Sequence, residues 1–268
     1  MKLSSKILLL LLVILITGML SSNIILKKEY DKVDKSDLYW TYRKVVQKPF
    51  KYLKIKGGNI TNIAFEQSHE SSVRILEEWA RYHSGSIESD VKNDTLFINF
   101  NFKPRDTFEK YWMRGITAVR IFSPQLLSVD CYDSNLEMFK MKQASYVVTV
   151  AGKSRFEVES MQQDLDSLNI TQKDSTEVVF EMSPEFKSPA IQETTQKVIV
   201  DKNSIDPGIP ANEIKKSNES ITLRSLVADV RGNSLLDIGH AQIRSLQLNI
   251  ADSSGIILSG GALKKFKQ

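Results

Sequence analysis

An apolar pattern that returns about every twenty residues constrains this chain more than any other feature. Five copies open on Val129, Val148, Leu168, Leu226 and Leu246, followed two positions on by Cys131, Val150, Ile170, Ala228 and Leu248. In most copies a second alternating pair comes about ten residues later: Val178 with Phe180, Leu236 with Ile238, Ile256 with Leu258. The last two copies align residue by residue, Arg224, Ser225, Leu226 and Val230 against Arg244, Ser245, Leu246 and Ile250. Turn-forming residues separate the pairs: Gly152, Lys153 and Ser154; Lys173, Asp174 and Ser175; Arg231, Gly232 and Asn233; Asp252, Ser253 and Ser254.

Two short strands and two turns in about twenty residues match one coil of a parallel β-helix, which buries its inward face only by stacking on the next coil. The predicted fold is therefore all-β, a solenoid over residues 50–268. A β-sandwich is the alternative, since alternating strands at such spacing also build one. Lys264, Lys265 and Lys267 read as a charged cap against further strand pairing at the C-terminal edge.

The N-terminus sets the location. Between Lys6 and Lys27, residues 7–26 are apolar except for Thr17, Gly18, Ser21, Ser22 and Asn23, and about twenty such residues span a bilayer as a helix. Lys2 and Lys6 in the short 1–6 leader favour a cytoplasmic N-terminus. A cleavable signal peptide is the competing reading, because the apolar core Ile7–Ile16 has signal-like length and small residues follow it. No small-x-small triplet is present, and apolar character resumes at Ile24, Ile25 and Leu26, which favours an uncleaved anchor. No cysteine follows the apolar run, so lipoprotein processing is excluded.

Residues 27–49 read as a stalk carrying Tyr39, Trp40 and Tyr42, aromatics that pack or cap the first strand. From Phe50 the chain alternates with period two: Leu53 and Ile55; Ile60, Ile63 and Phe65; Val73 and Ile75; Leu96, Ile98 and Phe100. Turns are expected at Gly57, Gly58 and Asn59 and at Asn93 with Asp94. A helix is expected over Ser72–His83, where Val73, Leu76, Trp79 and Ala80 share a face. Residues 183–220 break the repeat with Pro184, Pro189, Pro207 and Pro210 around the apolar run Val198–Val200, and read as an insertion in the solenoid.

The chemistry-bearing residues are sparse. Cys131 is the single cysteine, which rules out an intramolecular disulfide and a cysteine cluster; its alternating flanks place it in a strand as a packing thiol. His69, His83 and His240 are scattered without metal-ligand spacing. Asp130, Asp174, Asp229, Asp237 and Asp252 fall at outward or turn positions, and although Asp174 and Asp252 align, Gly152 or Lys153 and Gly232 stand at the neighbouring places. No catalytic, cofactor-binding or metal-ligating residue is assigned, and no cofactor is implied. The net charge of +4 is spread among acidic residues, which argues against nucleic acid. The densest basic stretch, Arg43, Lys44, Lys48, Lys51, Lys54 and Lys56 with Tyr42, Phe50 and Tyr52, suits proximity to lipid.

Phe50, Leu53, Ile55 and Gly57, then Ile63, Phe65 and Gln67, then Thr95, Leu96 and Ile98, then Leu127, Ser128 and Val129 resemble the opening and repeats of the auto-transporter adhesin head GIN domain family of Bacteroidota envelopes. The resemblance covers roughly residues 50–258 and implies a right-handed single-stranded parallel β-helix without family catalytic residues. This chain departs from the family in its lysine-, aspartate- and asparagine-bearing turns and in the 183–220 insertion.

The resulting expectation is a single-pass inner-membrane protein held through residues 7–26, its solenoid facing the periplasm. Its expected role is non-catalytic: binding, adhesion or scaffolding toward an envelope glycan or protein. A polysaccharide-active enzyme on the same scaffold, self-association through the solenoid ends or stalk, and secretion or surface display after signal cleavage are the alternatives.

Overall fold

The computed structural model describes residues 3–32, 34, 36–82, 85–101, 116–139, 141–159, 164–181 and 221–259. The chain divides into two units, 1–43 and 44–268. The first is dominated by α1 (Leu3–Tyr30), 28 residues and so about 42 Å long, more than the roughly 30 Å hydrocarbon core of a bilayer. It extends beyond the apolar run at both ends. It is the one described helix long and apolar enough to cross a membrane. Within the apolar run the Thr17 hydroxyl is satisfied internally, Oγ1 donating to the Val13 carbonyl at 2.6 Å. Lys27 and Lys28 close the last turn, where they complement the helix dipole. In the following segment Tyr39 and Tyr42 pack edge to face, with ring centroids 6.2 Å apart.

The rest is predominantly β. Strands β1 (Tyr42–Val46), β2 (Tyr52–Lys56), β3 (Asn62–Gln67) and β4 (Ser72–Leu76) precede the short helix α2 (Glu77–Tyr82). Then come β5 (Ile87–Lys92), β6 (Thr95–Phe100) and β7 (Thr117–Ser123). Five strand pairs follow: β8 (Ser128–Tyr132) and β9 (Asn135–Phe139), β10 (Lys142–Ala151) and β11 (Arg155–Glu159), β12 (Asp164–Gln172) and β13 (Glu177–Glu181), β14 (Thr222–Val230) and β15 (Leu235–Gly239), β16 (Gln242–Ile250) and β17 (Gly255–Leu258).

The strands form two sheets, and from β7 onward successive strands alternate between them. One runs β1-β4-β7-β3-β9-β11-β13-β15-β17, the other β16-β14-β12-β10-β8-β2-β6-β5. From β8 to β17 the strands pair in parallel with one another. The inward rows Val129, Val148, Ile170, Ala228 from one sheet and Leu136, Phe156, Val178, Leu236 from the other are buried in a single apolar cluster.

The sheets are nevertheless mixed. β5 and β6 pair antiparallel, as do β4 and β7. Asn93 and Asp94 are the cause in the first case: both have left-handed backbone, φ 49° and 57°, and a two-residue turn of that kind joins only antiparallel neighbours. Ser72–His83 is not one helix. Val73 and Ile75 are buried alternately in β4, as β-branched residues on a pleated sheet should be, and helix is confined to Glu77–Tyr82. His83 and the 183–220 insertion, with its prolines, lie outside the described residues, as do Lys264, Lys265 and Lys267.

Register corrects the repeat alignment. Val148 stands level with Ile170, and Leu168 with Tyr146, two residues away from the expected match. An alternating strand slipped by two keeps its apolar residues on the core face, so the hydrophobic pattern alone does not choose. One consequence is chemical: Gln172 enters the inward row beside Val230 and is fully buried. Its Nε2 donates to Thr176 Oγ1 at 3.2 Å and the Leu235 carbonyl at 3.0 Å.

The turns between the sheets are built from two stacked rows. Asp133, Gly152, Asp174 and Gly232 all have left-handed backbone, with φ between 52° and 72°. The Asp174 carboxylate accepts from Gly152 N at 2.9 Å and the Asp133 carboxylate from Lys153 N at 2.8 Å. A Cβ on Gly232 would come within 2.4 Å of the Asp174 carbonyl oxygen, so only glycine fits. The second row is a buried hydroxyl ladder, Ser134, Ser154, Thr176 and Ser234. Ser154 Oγ donates to the Ala151 carbonyl at 2.6 Å and Ser234 Oγ to Arg231 at 2.7 Å, while Thr176 Oγ1 donates to Ser234 Oγ at 3.0 Å. At the opposite corner Gln67 ties the backbone of Pro124 to that of Lys142.

Candidate functional site

The outer faces of the two sheets differ. On the first sheet Ala64, Phe122, Glu157 and Val179 alternate with inward residues and lie outside the core cluster, yet they are buried. Arg74 lies over the Phe122 ring at 5.5 Å. Glu137 and Glu157 stand level on β9 and β11, and Arg155 reaches Glu157 at 3.3 Å and Glu177 at 2.6 Å. Glu157 is only 8% exposed. This face is charged and largely withdrawn from solvent, its described outward residues, apart from those of the edge strand β1, buried or half-buried except Ile257 in the last strand.

The second sheet presents an open face on β10, β12, β14 and β16. Register sets three rows across the strands: Ser145, Ser167, Ser225, Ser245; Val147, Asn169, Val227, Gln247; Thr149, Thr171, Asp229, Asn249. All twelve are exposed or half-buried, and Asp229 is the only charge among them. That carboxylate is engaged. Arg231 Nη2 lies 2.8 Å from it and Asn249 Nδ2 donates at 2.9 Å; the Arg231 hydrogen bond holds the Asp229 carboxyl below its ordinary range.

Charges reappear at the margins of this face, with Arg224 reaching Asp166 at 3.3 Å on one side and Lys153, Lys173 and Arg231 at the turns on the other. The middle row continues through Ser128 to Tyr52, and Tyr132 stands level with Ala151. Tyr52 is 39%, Tyr132 48% and Val147 46% exposed.

The sequence-selected residues fall elsewhere or serve local structure. Asp130 pairs with Lys54 at 3.2 Å. Asp174 shapes its turn, and Asp237 accepts from Gly239 N at 2.9 Å. Asp252 lies in an exposed turn. Asp130 and Asp229 share an outward row but are three strand steps apart, about 14 Å at sheet spacing, beyond the roughly 5–9.5 Å of a glycosidase carboxylate pair. Cys131 points inward on β8, level with Ile55 and Val150, and burial pushes its thiol up to about 12. Among the described residues no group of three or more His, Cys, Asp or Glu could hold a metal ion. The open face itself was not selected from sequence, because its rows join residues 20, 22 or 58 positions apart.

No protein-family model matches the chain and no curated protein does. Among solved structures it is similar to a provisionally named lipid-binding protein from Parabacteroides distasonis, 15% identical with a TM-score of 0.40, covering 80% of each chain. It is also similar to a provisionally named adhesin from Bacteroides fragilis, 14% identical with a TM-score of 0.36, covering 81% of this chain and 95% of that one. A second such adhesin, from Parabacteroides distasonis, is 12% identical with a TM-score of 0.27, covering 81% and 96%. Likenesses this loose carry no argument about function.

Proposed function

We propose that this chain is a membrane-tethered binding module of the cell envelope, non-catalytic, with a β-helix displayed outside the inner membrane. The observation that carries the reading is the contrast between a charged, more deeply buried face and an open face with one charge in twelve outward positions. Depletion of charge at the centre of a surface is what distinguishes binding patches from solvated ones. The β-helix is supported over the sandwich by strands that alternate between sheets and pair in parallel from β8 to β17; crossovers of this kind take the right-handed sense. Kinship with the GIN domain family belongs to the same reading and rests on the residues quoted for it. For the tether, α1 has the length and apolarity, and Lys2 and Lys6 favour an N-terminus in the cytoplasm.

Intact mass and membrane fractionation test the tether. Full-length chain retained with the inner membrane is the expected result; cleavage near Ser21 with release into the soluble fraction would make it a secreted module instead.

Self-association is a second reading with its own observation. Leu246, Leu248, Ile250 and Ile256 in the last coil are half-buried, whereas their neighbours Leu226, Ala228, Val230 and Leu236 are buried. A mass that rises with concentration in sedimentation would favour it.

A further inference from the structure

Resting on the binding reading, we infer that the ligand of the open face is an uncharged, hydroxyl-rich polymer, a neutral glycan strand laid across the strands. Three properties of the face select this class. First, an anionic polymer is held by cations, and the twelve central positions offer none, Lys54 and Lys56 standing beyond them beside the tyrosines; the lone central carboxylate is already held by Arg231 and Asn249. Second, one row repeats a hydroxyl at every strand step of about 4.8 Å, Ser145, Ser167, Ser225 and Ser245, and another opens on Thr149 and Thr171, so a ligand crossing the strands meets serine after serine. Such an array suits a chain of like units with a hydroxyl at each, and suits a folded protein surface poorly, because protein interfaces concentrate Met, Arg and several aromatics at their centre. Third, Tyr52 and Tyr132 stand exposed at the end of the array. A tyrosine ring offers an apolar surface with a polar tip, which matches the C–H face and hydroxyl rim of a pyranose.

The test is retention of the full chain, in detergent micelles, on columns of immobilised dextran, xyloglucan or galactomannan, with polygalacturonate as the anionic control. Retention on at least one neutral polymer is expected, unchanged between about 0.1 and about 1 M salt because no ion pair is screened. Asn169→Glu with Thr171→Glu should weaken retention at least about tenfold, and Tyr52→Ala severalfold. Ile257→Glu, which puts a charge on an exposed position of the other sheet, should leave it unchanged; equal thermal melts show that the variants are folded. Retention by polygalacturonate alone, retention that survives the double variant, or no retention on any neutral polymer overturns the inference. The last result is separated from failure of the binding reading by oxidative footprinting in native envelopes. Protection of Tyr52 and Tyr132 there would leave the face a binding site for another ligand class, and its absence would remove both.

Discussion

The two sheets are made from the same alternating strands and share one core, yet their outer faces have opposite characters. On the first, Val179 is 4% exposed; on the second, Val147 is 46% exposed. Both are valines at outward positions of parallel strands, so residue type does not decide burial. The difference shows that inward alternation fixes the core, while what becomes of the outward residues is a separate property of each face, and only an open face can meet a ligand.

Charge insertion sharpens the comparison most. Val179→Asp places a carboxylate in a covered site and should cost about 3 kcal/mol or prevent folding. Val147→Asp on the open face should stay within about 0.5 kcal/mol of the parent. Paired denaturant melts measure both, and equal costs would erase the distinction between the faces.

A smaller effect asks whether openness reaches below the surface. Cys131 lies inward beneath the open sheet with its thiol pushed up to about 12 by burial, against an ordinary value of 9.0. It should resist alkylation in the folded protein at mildly alkaline pH and react at once when unfolded. The sign of the linkage follows from the raised folded value. The contribution is fully present below pH 9 and is lost as pH rises toward 12, because the unfolded thiol ionises first. Rapid native labelling would show that the open sheet is loosely packed rather than merely uncovered.

Much of the strand content was legible in the sequence, since period-two alternation at Leu53, Ile55, Leu96, Ile98, Val129 and Cys131 marks residues that are buried in strands. Turn chemistry was partly legible: Gly152, Ser154, Asp174 and Gly232 stand among the expected turn residues, but the hydroxyl ladder itself has no sequence signal, because Ser154, Thr176 and Ser234 gain that meaning from stacking. The pairing of Ile170 with Val148 was hidden by the freedom of an alternating strand to slip by two. The antiparallel pairing of β4 with β7 was hidden because it joins segments about 45 residues apart. Burial of Gln172 among valines follows from that register and has no local signal. The candidate face was illegible for the same reason, as none of its rows is contiguous in sequence.

The central claim is that the face bearing Tyr52 and Tyr132 is open in the isolated protein and occupied in the envelope. Hydroxyl-radical footprinting measures this directly, with Phe122 of the covered face as internal reference. In purified protein both tyrosines should oxidise readily while Phe122 stays protected, and in native envelopes the tyrosines should become protected as well. Tyrosines that oxidise equally in both settings would contradict the account.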